Sequence, residues 1–247
     1  MTTVTIVQLY PEELGVAGDR GNVMALSSRL ASAGIQVTLV QHRVGDSLST
    51  DVDLVLVGNG PLSAMRNIYA DLESIAPQLH ALKALDVPFF AYGSGAELLG
   101  HSITLLDDTV LVGFGLFPFT TTRIAAHKVG YVVVDSPCGQ IVGFEDNASV
   151  WKLDAGALPF GTVYSGSGTS LGHGVGAAEG VRSGASIATQ IGGPVLPLNP
   201  ALTDALICAI AERRGIEYLP VVTELDSYAA NARGVMIANA KVVFSRI

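Results

Sequence analysis

Cysteine is nearly absent: only Cys138 and Cys208 occur in 247 residues. At most one disulfide can form, which excludes a disulfide-stapled secreted scaffold. Basic residues are also few, with 14 Lys and Arg against 22 Asp and Glu and no basic run longer than Arg213-Arg214. A nucleic-acid ligand is therefore not expected, since affinity for a phosphate backbone is built from clustered positive charge. No stretch reaches the ~18 consecutive apolar residues of a membrane span. The first residues, Met1-Thr2-Thr3-Val4-Thr5-Ile6-Val7, lack the positive and long apolar regions of a signal peptide. A reducing, cytoplasmic setting is the expectation.

Glycine, by contrast, is abundant at 28 residues, and only 15% of the chain is charged, below the roughly 25% of an average soluble protein. That balance describes a glycine-jointed fold with a large core. Val4 to Leu9, Ile35 to Val40, Val52 to Val57 and Phe89 to Tyr92 read as strands. Helical spacing over Asn22 to Ala33 and Ser63 to Leu85 separates them. Val52 to Val57 is apolar throughout, as in a strand buried on both faces of a parallel sheet. The pattern predicts an α/β fold with a doubly wound, mostly parallel sheet, whose ligands would lie beyond the carboxyl ends of the strands.

The second half predicts a smaller antiparallel sheet from Ile103 to Leu106, Thr109 to Val112, Lys128 to Val134 and Gln140 to Phe144, with Asp107-Asp108 as a turn. A helix opens at Asn199-Pro200, with Leu202, Ala205, Leu206, Ala209 and Ile210 on one face and Cys208 beside them, and ends at Arg214-Gly215. An extension from about 216 to 247 carries a terminal helix near Asp226 to Ala238. No repeat or linker divides the chain, so 1–247 reads as one domain.

Phe89-Phe90-Ala91-Tyr92-Gly93-Ser94-Gly95-Ala96-Glu97-Leu98 runs from an apolar strand through a sharp glycine turn into a helix, the shape of a nucleophile elbow. Gly-x-Gly at a strand-helix junction also serves plain tight turning. Ser94 is a candidate nucleophile only with a base in reach, and Tyr92 and Ala96 break the Gly-x-Ser-x-Gly pattern. The five histidines, His42, His80, His101, His127 and His173, show no metal-ligand spacing. Gly166 through Gly176 reads as a flexible loop, because it lacks the Gly-Lys-Ser/Thr ending of a P-loop and no strand directly precedes it. No metal and no cofactor is expected.

Asp19-Arg20-Gly21-Asn22, Val57-Gly58-Asn59-Gly60, the elbow, Ile141-Val142-Gly143-Phe144-Glu145-Asp146 and Gly192-Gly193-Pro194-Val195-Leu196-Pro197-Leu198-Asn199-Pro200 occur in that order. In this order they resemble the cobyric-acid-synthase-like group of class I glutamine amidotransferases, and within it the GatD-type glutaminase subunits. The resemblance covers roughly Val4 to Glu217. It implies a glutaminase that feeds ammonia to a Mur-ligase-like partner of the MurT type in peptidoglycan-precursor amidation. It also implies a catalytic cysteine, which falls on Gly93, and a catalytic histidine, which falls on Gly192. The substrate-clamping arginine falls on His127, with Arg123 four residues earlier on an extended strand, and an asparagine pair falls on Thr169-Ser170. Gly58, Asn59, Gly60 and Ser94 would border the oxyanion region. The expectation is a degenerate, non-hydrolytic subunit in a heterodimer. The alternatives are a stand-alone hydrolase or small-molecule binder using the vacated pocket through Ser94, Asn59 or His127, and a still active amidotransferase.

Overall fold

The computed structural model describes residues 2–170 and 174–240. Strands β1 (Thr3–Leu9), β2 (Gln36–His42), β3 (Leu54–Val57) and β4 (Phe89–Tyr92) form a parallel sheet, joined by α1 (Asp19–Ser32) and α2 (Leu62–Ala84). α3 (Gly93–Leu98) leaves β4 at once. Strands β5 (Ser102–Thr104), β6 (Val110–Val112), β7 (Phe119–Ser136), β8 (Gly139–Leu153), β9 (Gly161–Ser165) and β10 (Ala178–Glu179) build a second sheet. The chain then returns to the first sheet with β11 (Val181–Ser183) and β12 (Ser186–Thr189), giving the order β11-β12-β4-β3-β1-β2. It ends in α4 (Val195–Leu198), α5 (Pro200–Arg214) and α6 (Glu224–Asn239).

Alternation along β3 and β4 explains the two-sided burial. Val55, Val57, Phe89 and Ala91 join the α2 residues Ile68, Leu72 and Leu79 in one core cluster. Leu54, Leu56, Phe90 and Tyr92 join Leu26 and Leu30 of α1 and Leu202, Leu206 and Ile210 of α5 in another. Each strand thus has a helix layer on both faces, which is why its sequence is apolar without a break. No helix among the described residues is long and apolar enough to cross a membrane.

Several expectations are corrected. β3 begins at Leu54 rather than Val52, because buried Asp53 turns aside to accept from the Thr5 amide (2.9 Å) and from Arg213 and Arg214. The two expected strands over 128–134 and 140–144 are parts of a much longer hairpin, β7 and β8, whose first half reads as polar Thr-rich sequence. The second sheet is not wholly antiparallel, since β5 pairs with β7 in parallel. β9 directly precedes the glycine-rich loop, contrary to the reading that none does. On α5 the buried face is Leu202, Thr203, Leu206, Ile207 and Ile210, while Ala205 is exposed and Cys208 only half-buried. Asp107-Asp108 does form the β5–β6 turn, Asp108 taking φ +62°.

Two quoted motifs have structural roles. Asn22 Oδ1 accepts from the Leu196 amide (2.9 Å), tying α1 to α4. Asn199 caps the same region onto β8, accepting from the Val142 amide (2.9 Å) and donating to its carbonyl (2.8 Å). α6 is held by Arg233, which donates to Asn199 (2.6 Å) and to the Gln140 carbonyl (2.6 Å).

At the end of α2, the Lys83 ammonium lies 4.2 Å from the centre of the Phe117 ring with no hydrogen-bond partner among the described residues. Burial pulls its pKa down from 10.5 to about 8. Between those values the unfolded chain binds a proton that the folded chain does not, so this group makes stability rise with pH across that window. Below about pH 8 the full cost is present. Partial solvent contact and the cation–π contact reduce that cost to about 1–2 kcal/mol. Lys83→Met is therefore expected to raise Tm at pH 7 by about 2–6 °C, with a gain that shrinks toward pH 10.5. Scanning calorimetry of both proteins at the two pH values checks it; a gain that does not depend on pH would refute the assignment.

Candidate functional site

At the carboxyl ends of β3 and β4, two glycine turns interlock. The Gly95 amide donates to the Gly58 carbonyl (3.1 Å), and a Cβ on Gly95 would stand 2.3 Å from that oxygen. A Cβ on Gly58 would stand 1.9 Å from Asp19 Oδ1. Both glycines are required for close approach of backbone to backbone and of backbone to Asp19. Asp19 in turn accepts from the Asn59 amide (3.2 Å), the Ala17 amide (3.0 Å) and the Tyr92 hydroxyl. Burial pushes the Asp19 carboxyl up, and burial followed by the Asp19 charge holds the Tyr92 hydroxyl far above its ordinary value. Asp19, Asn59 and Tyr92 thus lock three of the sequence motifs into one knot.

Gly93 opens α3 with φ +57°, the left-handed region expected of an elbow position. The space above it is taken. A Cβ on Gly93 would lie 2.3 Å from Asn59 Oδ1 and 2.9 Å from Asn59 Cβ. Asn59 Oδ1 accepts from the Ser94 amide at 2.9 Å. The Ser94 hydroxyl is engaged on both sides by Gly60, donating to its carbonyl (2.8 Å) and accepting from its amide (2.8 Å). Its proton points to a carbonyl oxygen rather than to a base, so Ser94 is not poised as a nucleophile.

Asn59, Gly60, Gly93, Ser94, Arg123, His127 and Gly192 all border one cavity of about 400 Å³. Gly58 is not on its wall; it borders a second, much smaller cavity together with Asp19 and Tyr92. Gly192 sits across the cavity, paired with Phe144 through two backbone bonds (2.7 and 3.3 Å). Among the described residues a Cβ there would meet only the Phe144 carbonyl, at 3.6 Å, so a side chain has room beside them.

The two clamp candidates are already engaged. His127 Nε2 lies 2.6 Å from Asp146 Oδ1 at the exposed rim. Arg123 donates to Glu97 Oε2 at 2.5 Å, inside the wall. The β7–β8 register breaks between Arg123 and Lys128, so the simple same-face spacing expected for an extended strand does not apply.

A polar network in the cavity wall and just beneath it is not legible in the sequence. Glu97 accepts from Arg123 and from Ser149 (2.5 Å), and Gln190 donates to Ser149 (2.5 Å). Lys128 donates to Gln190 (3.2 Å) and to the carbonyls of Gly168 (2.6 Å) and Ser170 (3.3 Å). Burial draws the Lys128 pKa down while Glu179, Glu145 and Glu97 oppose the shift; burial pushes fully enclosed Glu179 up. Glu145 accepts from the amides of Ser167 (2.9 Å) and Gly168 (3.0 Å). The stretch from Ser167 to Ser170 is therefore bonded to both charges. Thr169 donates to the Ala178 carbonyl (2.9 Å) instead of facing the cavity. His173 lies outside the described residues. Glu97, an acid amid the apolar residues of α3, is the one signal that could have exposed this network; Lys128 and Gln190 carry none.

No protein-family model matches the chain. It is 29% identical over 243 residues, 97% of each chain, to the GatD subunit of the glutamine-hydrolysing lipid II isoglutaminyl synthase of Staphylococcus aureus strain N315. Among solved structures it is similar to a glutamine amidotransferase from Thermotoga maritima, with 12% identity, TM-score 0.52 and coverage of 97% and 92%. It is also similar to PurLQS from the same organism, with 13% identity, TM-score 0.55 and coverage of 86% and 99%. A further glutamine amidotransferase gives 16% identity, TM-score 0.54 and coverage of 85% and 99%. The fold is that of the class I glutamine amidotransferases.

Proposed function

We propose that this chain is a GatD-like subunit, one domain along its length, that no longer hydrolyses glutamine and serves a MurT-like, Mur-ligase-like partner in amidating a peptidoglycan precursor. The observation that carries the reading is the state of the elbow. Where a thiol would need to project, the chain has glycine, and the Asn59 side chain fills the space a nucleophile's Cβ would take. Across the cavity Gly192 offers no base. The scaffold around the site is firmly bonded: Asp19 accepts from the Asn59 amide, Asn22 from the Leu196 amide and Asn199 from the Val142 amide. A scaffold that outlasts its reactive groups fits a binding role. The similarity to the Staphylococcus aureus subunit of lipid II isoglutaminyl synthase supports the pathway of this reading.

Under it, the partner draws on free ammonia. The test is an amidation assay with the Mur-ligase-like protein of the same host, ATP and lipid II, with and without this chain. Ammonium is expected to support product and glutamine is not, and the chain is expected to raise the ammonium-driven rate while co-eluting with the partner. Glutamine-driven product with ammonia-free reagents, or no association, would overturn it.

A Ser94 hydrolase is disfavoured by the hydroxyl's two bonds to Gly60.

A further inference from the structure

Three observations converge on Asn59. Its side-chain oxygen accepts the Ser94 amide proton at 2.9 Å. Its Oδ1, Cγ and Cβ stand 2.3, 2.5 and 2.9 Å from where a Cβ on Gly93 would be. Its backbone is fixed at both ends, the amide donating to Asp19 Oδ1 (3.2 Å) and the carbonyl accepting from the Val16 amide (3.4 Å). The side chain is thus a carboxamide presented by an anchored loop to the backbone N–H that follows the elbow residue, on the wall of the cavity.

We infer that the Asn59 carboxamide is an internal ligand of this site: its oxygen occupies the Ser94 N–H and closes that part of the cavity to external carboxamides and carboxylates. An incoming carbonyl oxygen could reach the Ser94 N–H only by displacing Asn59. The displaced side chain would need new partners, while its own backbone, held by Asp19 and Val16, stays in place. An intramolecular occupant of this kind competes at high effective concentration, so a weak external ligand does not displace it. The Gly58-Asn59-Gly60 turn then has a second role besides packing against the elbow. It sets what the cavity accepts.

The inference rests on the reading of Gly93 as the elbow, and the two fail separately. The test follows the Ser94 amide by NMR in the ¹⁵N-labelled full chain, titrated with acetamide and, separately, with sodium acetate. In the unmodified chain the Ser94 resonance is expected to stay still. In Asn59→Ala it is expected to move saturably with acetamide, and its hydrogen exchange to speed up at least tenfold, while Gly95, bonded to Gly58, keeps its protection. Asn59→Asp, which keeps an acceptor oxygen, is expected to retain Ser94 protection. Asn59→Leu, which fills the space without an acceptor, is expected to lose protection yet remain deaf to acetamide. A Ser94 resonance that responds to acetamide equally in the unmodified chain and in Asn59→Ala would overturn the inference, as would unchanged exchange in both Asn59→Ala and Asn59→Leu. Glutamate release by the unmodified chain would instead overturn the functional reading and leave these results standing.

Discussion

Glutamate release from glutamine is expected to stay at the blank for the unmodified chain, and to stay there in Gly93→Cys/Gly192→His, although that variant regains a thiol and an imidazole. In the unmodified chain no thiol stands at the elbow, the Ser94 hydroxyl donates to a carbonyl, and the His127 ring is paired with Asp146 at the rim. General acid–base help alone is worth about 10²- to 10⁴-fold, and a covalent route needs a nucleophile besides. The double variant meets two obstacles. A cysteine at a φ of +57° carries strain of about 1–3 kcal/mol, and its Cβ collides with Asn59 before any substrate arrives. Gly192→His, with its nearest neighbour at 3.6 Å, is the easy half of the change.

Substrate capture is the second obstacle. His127 stands where the resemblance implies an arginine, and an imidazole lacks the planar fork with which a guanidinium holds a carboxylate by two parallel hydrogen bonds. Losing a hydrogen bond to a charged group costs about 1.5–3 kcal/mol, on the order of ten- to a hundred-fold in binding. Arg123 does not take over, because its guanidinium is held by Glu97. Adding Asn59→Ala and His127→Arg together is therefore expected to be the step that yields measurable hydrolysis. A coupled glutamate assay at matched concentrations reads the series. Full activity in the double variant would mean that the substrate site is intact and that neither Asn59 nor His127 obstructs it.

What could be read from the sequence followed from strong local signals. Continuous apolar runs place β3 and β4, because burial on both faces leaves no polar position to confuse the period. Glycine turns placed the elbow, since only glycine allows the interlocking of Gly58 with Gly95. β12, four residues long between glycine-containing turns, is too short to show a period even though it is an interior strand, between β11 and β4. β7 was cut short because a register break after Arg123 destroys alternation where the strand meets the cavity. The cavity wall was the least legible part. Its polar network joins residues as far apart as Glu97, Ser149 and Gln190, and no local pattern records a bond across that separation.

That network is where the largest loss of stability is expected. The Glu97 side chain is 3% exposed and accepts from Arg123 and Ser149, both at 2.5 Å, whereas the Arg123 side chain keeps 22% of its exposure. The two partners are therefore unequal. Arg123→Met removes the one cation bonded to the buried Glu97 carboxylate among the described residues, and breaking a buried pair in this way costs about 3–5 kcal/mol. Glu97→Gln leaves an arginine that can still reach water, and a glutamine that can still accept from Ser149, so about 1–2 kcal/mol is expected. The double variant Arg123→Met/Glu97→Gln removes both charges while keeping the shape, and is expected to regain at least half of the loss caused by Arg123→Met. Urea unfolding of the four proteins at pH 7 gives the coupling directly. Additive losses, with the double variant the least stable, would mean that the pair is not coupled and that Arg123 acts through its packing on Met65. Glu97→Gln also releases the guanidinium on the cavity wall. If Arg123 is a clamp made idle by Glu97, that variant combined with Asn59→Ala is expected to bind a carboxylate such as acetate measurably by NMR at residues lining the cavity, and Arg123→Met in the same background to abolish the binding.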